Sequence, residues 1–149
     1  MRDPARAYRE SAVRGASPVG LIVILYEEVI RSLRRAMRSL QENNIEQKTL
    51  ALTHALEVIS HLQVTLNFKA GGEVANSLSH FYNMARAKII EANLSLDRGV
   101  LESVVTDFSA LAQAWQEADK TIGNANISSE DVIRIVSRQE PLEVSPVIR

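Results

Sequence analysis

The chain reads as an all-α protein: an antiparallel up-down-up-down four-helix bundle set between an N-terminal arm and a C-terminal tail that holds a short helix. Three observations lead there. Apolar residues recur at alternating spacings of three and four along four stretches of about 23 residues each, which marks helices with one packed seam. The connections between those stretches are short and polar or glycine-rich, so consecutive helices must run antiparallel. No alternating β-branched run competes as a strand, and six glycines and four prolines are too few to punctuate a many-stranded fold.

At 149 residues the chain is expected to form a single domain, with an arm over 1–16, the bundle over 17–123 and a tail over 124–149. It has no cysteine, which excludes disulfides, thiolate metal sites and a cysteine nucleophile. A net charge of −1 and a pI near 6.3 argue against broad electrostatic capture of nucleic acid or an anionic membrane. No apolar run approaches the roughly 20 residues that span a bilayer, and the first residues lack the apolar core of a signal peptide. A cytoplasmic protein without membrane insertion is expected.

Within the arm, Tyr8 and Val13 are the sizeable apolar side chains among scattered charges. The first helix spans 18–41. Ser17 is a good N-cap, and Pro18 suits the first helical position, where its missing N–H costs nothing. Ile22, Tyr26, Val29, Leu33, Ala36 and Leu40 form the seam. Leu21, Ile24 and Leu25 lie on its flank or away from it, so the first turns are apolar nearly all round. Such a surface needs more of this chain, or a partner, to bury it.

The second helix spans 45–69. Asn44 with Gln47 resembles a capping box, Leu52, Ala55, Ile59, Leu62 and Leu66 form the seam, and a positive-φ residue in Gly71-Gly72 is expected to end the helix. The third spans 73–94 on Leu78, Tyr82, Ala85, Ile89 and Ala92. The fourth spans 98–122 on Leu101, Val104, Phe108, Leu111, Trp115, Ala118 and Ile122. Tyr26, Leu33, Ile59, Leu62, Tyr82, Ile89, Phe108 and Trp115 are expected to be largely buried. In the tail, Ser128-Ser129-Glu130-Asp131 caps a short amphipathic helix around Val132–Val136.

Chemistry-bearing clusters are few. His54, Glu57 and His61 share a helical face, but that face is expected to point to solvent, and no inward Glu-x-x-His set accompanies it, so no metal site is assigned. A histidine phosphotransfer module, or another signalling module, is the alternative function for a helical bundle. Its reactive histidine is closely followed by Lys-Gly; here His54 is followed by Ala55-Leu56-Glu57 and His61 by Leu62-Gln63-Val64. Arg31, Arg34, Arg35 and Arg38 form a basic stripe read as a solvated face near a helix C-terminus, where cations are favoured. No nucleophile–base set, phosphate loop or paired inward carboxylates can be assembled. Neither an enzyme nor a cofactor is indicated.

Several segments together resemble the FliS family of flagellar export chaperones. The N-terminal signature reads Tyr8, Val13, Ala16-Ser17-Pro18, Leu21-Ile22 and Leu25-Tyr26. The second is Gly71-Gly72-Glu73-Val74-Ala75 with Leu78 in place, the third Phe81-Tyr82 with Ala92-Asn93, and the last Ala114-Trp115. The likeness covers about 8–118. It departs where Glu28 and Val29 replace small residues, and where Thr65-Leu66-Asn67 replaces Ser-Leu-Asp. The resemblance implies a cytoplasmic helical bundle around which the disordered C-terminal segment of flagellin wraps, kept from polymerising before type III export. It also implies an export-gate component as a further partner. The groove and arm residues assigned to flagellin are Tyr8, Val13, Pro18, Leu21, Ile22, Ile24, Leu25 and Tyr26. The arm is expected to cover the apolar flank of the first helix until flagellin displaces it, with the tail helix as rival cover.

Overall fold

A computed structural model describes residues 18–66 and 68–119, together with Gly15. Four helices make up the fold: α1 (Pro18–Gln41), α2 (Ile45–Val64), α3 (Phe68–Ser95) and α4 (Arg98–Asp119). α1 packs along α2 and α4, and α3 closes the ring between α2 and α4. Pairs across the bundle give the direction of each helix. Glu28 meets His54, Lys48 meets Asn93, and Tyr26 meets both Tyr82 and Trp115, as an up-down-up-down bundle requires. No helix among the described residues is long and apolar enough to cross a membrane.

The four seams supply the core. Tyr26, Leu33, Ile59, Leu62, Tyr82, Ile89 and Phe108 are buried as expected, while Trp115 is half-buried and packs on the core from its edge. Asn44 caps α2 as its sequence indicates, its Oδ1 accepting from the Gln47 N–H at 3.1 Å.

The turn between α2 and α3 differs from expectation. α2 stops at Val64, short of residue 69. There the Thr65 N–H bonds back to the His61 carbonyl at 3.1 Å, the Leu66 N–H to Gln63 at 3.2 Å, and the Thr65 hydroxyl donates to the Leu62 carbonyl at 2.9 Å. The first is the last regular helical bond; the Leu66 bond then tightens the turn, and the Thr65 hydroxyl takes the Leu62 carbonyl that the next helical N–H would have used. Gly72 does carry the expected positive φ, at 54° with ψ −122°. It does not end α2; it kinks α3 after a first turn at 68–71, so the main body of that helix begins at Glu73. A Cβ at Gly72 would meet nothing within 4 Å, so glycine is needed there for its backbone freedom alone.

Candidate partner-binding surface of the first helix

The start of α1 is apolar in nearly every direction, and the fold accounts for most of it. Val19, Leu21, Val23, Leu25 and Tyr26 are all buried, although they point around most of the helix circumference. Ile22 and Ile24 are half-buried against the core. Of the residues assigned to a partner, Leu21, Leu25 and Tyr26 therefore belong to the interior, and Ile22 and Ile24 are the side chains open to contact. Pro18 opens the helix. Tyr8, Val13 and the tail helix lie outside the described residues.

Beneath this surface is an aromatic layer drawn from three helices. Tyr26 of α1 meets Phe108 of α4 edge to face at 5.3 Å and Tyr82 of α3 at 6.3 Å, while Phe81 approaches Phe108 at 5.0 Å. The hydroxyls of Tyr26 and Tyr82 are bonded at 2.6 Å, and the Trp115 Nε1–H donates to the Tyr26 oxygen at 3.0 Å. Burial pushes the Tyr26 hydroxyl up from 10.0 to about 12, against the lowering effect of the bonds from Tyr82 and Trp115. Burial raises Tyr82 further still, with the neighbouring Tyr26 adding to the shift. Both hydroxyls stay neutral, so this layer anchors the helices without presenting charge.

The sequence reading missed a second polar layer a short way down the bundle. His54 was expected on a solvated face, yet it is only 6% exposed, and Glu57 and Glu28 are buried with it. The His54 Nε2–H donates to Glu28 Oε2 at 2.7 Å, and Arg31 donates to Oε1 of the same carboxylate at 2.8 and 3.2 Å. Burial alone would raise the Glu28 carboxyl, but the bonds from His54 and Arg31 outweigh it and hold the group below its usual 4.5. The face is covered because α1 and α2 pack closely at this level, and a buried carboxylate there requires donors from both helices. One signal was available in the sequence: Glu28 departs from the small residue that the resemblance leads one to expect at that position. Among the described residues no His, Asp and Glu side chains converge to hold a metal ion.

Two further ties escaped notice. Buried Lys48 donates to the Asn93 Oδ1 at 2.6 Å and to its carbonyl at 3.3 Å, and Gln63 bridges α2 to Asn83 and Arg86 on α3. On the opposite side, α1 and α4 enclose an open groove of about 520 Å³. The basic stripe of α1 lines it in part: Arg34 and Arg38 are exposed, whereas Arg31 is held by Glu28.

The described residues form a four-helix bundle with a neutral aromatic anchor and a first helix that is apolar nearly all round, an architecture shared by many kinds of helical-bundle protein. The comparisons specify which kind. The family model for flagellar protein FliS matches residues 1–122. The chain is 35% identical over 109 residues to the flagellar secretion chaperone FliS of Salmonella typhimurium, covering 72% of this chain and 81% of that protein. It is 30% identical over 121 residues to the FliS of Bacillus subtilis, covering 79% and 87%. Against the FliS of Escherichia coli it is 32% identical over 110 residues, covering 73% and 81%. The chain belongs to the FliS family of flagellar secretion chaperones.

Proposed function

We propose that this protein binds the C-terminal segment of flagellin in the cytoplasm, prevents its premature polymerisation and keeps it competent for flagellar type III export. One observation carries the reading beyond family membership. Along the α1 turns from Val19 to Tyr26 the core takes Val19, Leu21, Val23, Leu25 and Tyr26, and leaves the apolar Ile22 and Ile24 half-open to a client. Ile22 and Ile24 offer the first contacts. A partner segment laying its apolar side chains into a groove is a common mode of peptide recognition. Ordering a disordered client costs entropy, so the contact must be extensive and must reach beyond these two residues to the arm residues Tyr8 and Val13. An export-gate component then receives the complex.

No catalytic role accompanies this function. The alternative of a phosphotransfer module is disfavoured at His54, because its Nε2 is committed to Glu28 and the ring is buried away from any phosphodonor.

Calorimetric titration against intact flagellin and against flagellin lacking its C-terminal segment tests the proposal. Binding is expected to the first and lost with the second, without added nucleotide or metal. Equal binding to both would overturn it.

A further inference from the structure

The groove between α1 and α4 has no part in the flagellin proposal, and its chemistry is different. Its floor is apolar, made by the nearly buried Ile30 and Ala112. One wall is Arg31, Arg34 and Arg38 of α1, spaced three and four residues apart along one face. The facing wall is the amides of Gln113 and Gln116 on α4.

The charge along this groove is uneven. The Arg31 guanidinium is neutralised by buried Glu28 and fixed in place by it. Glu27 lines the groove one turn before Arg31, so that end carries no net positive charge. Arg34 and Arg38 are exposed and form no ion pair among the described residues. They are like charges four residues apart, an arrangement that is unfavourable until something acidic lies across it. The positive charge is thus concentrated at the Arg34–Arg38 end, above an apolar floor.

We infer that this groove is a second docking surface, which takes an acidic amphipathic peptide segment of a partner protein. Carboxylates spaced one helical turn apart meet Arg34 and Arg38 as charge-assisted, forked hydrogen bonds, and an apolar side chain between them rests on Ile30 and Ala112. Gln113 and Gln116 supply donors or acceptors to the peptide's outer edge. A nucleic acid is a poor fit: the chain carries a net charge of −1, and among the described residues no aromatic side chain lines the groove for bases to stack on. The inference does not depend on flagellin binding at α1.

The test uses the full chain and a fluorescein-labelled helical peptide of about 18 residues, roughly five turns. The peptide carries glutamates four residues apart flanking a leucine, and a control replaces each glutamate with glutamine. Fluorescence anisotropy is expected to show the glutamate peptide binding at least about tenfold more tightly than the control, with affinity falling as salt rises. The double variants Arg34→Glu/Arg38→Glu and Arg34→Gln/Arg38→Gln should each lose about tenfold or more in affinity. Both positions are exposed, so unchanged circular dichroism and melting should accompany the loss, and binding of flagellin's C-terminal segment should persist. Absent or equal binding of the two peptides would overturn the inference. So would an unchanged affinity in the double variants, or displacement of the peptide by inorganic phosphate at low concentration, which would mark a mere anion site.

Discussion

Two polar layers lie close together in this bundle, and they satisfy buried polar atoms in opposite ways. In the aromatic layer, Tyr26, Tyr82 and Trp115 bond to one another and remain neutral. In the ionic layer, Glu28 keeps its charge because His54 and Arg31 both donate to it. Burial acts on both layers in the same direction, favouring the protonated acid. It prevails where neighbouring hydroxyls and an indole are the partners, and it loses where two cationic or potentially cationic donors converge on one carboxylate. The difference shows that depth alone does not decide protonation. The number and charge of the donors do.

The largest expected effect falls on the aromatic layer. Phe108→Ala removes the ring that Tyr26, Phe81 and Tyr82 all contact, and should cost about 3–5 kcal/mol in urea denaturation. A surface-like response would show that the layer is not the anchor described. His54→Ala removes one of the two donors to Glu28 while Arg31 remains, so a loss of about 1–3 kcal/mol is expected at neutral pH. A neutral outcome would mean that Arg31 alone supports the carboxylate.

Titration separates the layers. The Glu28 carboxyl lies below its usual 4.5 in the fold, so its stabilisation is fully present above that value and is lost as pH falls through the lowered one. Tyr26 lies above its usual 10.0, so its contribution is present below pH 10.0 and disappears as pH climbs towards about 12. Melting temperature followed against pH should show both limbs. Glu28→Gln should flatten the acid limb alone and Tyr26→Phe should reduce the alkaline limb. Swapped or unaltered limbs would break the comparison.

Gly72 belongs to neither layer and serves as a reference. Gly72→Val should cost a little over 1 kcal/mol through its positive φ, at all pH values alike. The smallest effect is predicted on the outer face, where Arg34→Ala should change stability by less than about 0.5 kcal/mol and leave flagellin affinity unaltered by calorimetry.

Much of the fold was legible in single residues. α1 runs over the residues expected, and Asn44 caps α2 through the bond to Gln47 that its spacing suggests. Most seam residues from Tyr26 to Phe108 are buried, with Leu40, Leu66 and Leu78 packed partly buried at the edge, because an apolar period of 3.6 has only one way to face a shared interior. The candidate surface was less legible. Leu21 and Leu25 looked like a spare apolar flank, but the packed chain buries them and leaves Ile22 and Ile24 half-open.

The sequence by itself determined the helices, their antiparallel order and the apolar seams, because periodicity, caps and short connections act within a few residues of one another. It also carried the signatures that place the chain in its family. Only the tertiary structure decided that Glu28 meets His54 across 26 positions, that Lys48 reaches Asn93 across 45, and that Trp115 bonds Tyr26 across 89. Those pairings depend on how one helix is rotated and slid against the next. A polar residue on a helical pattern looks the same whether its face meets water or a neighbouring helix, and that choice is made when the helices pack.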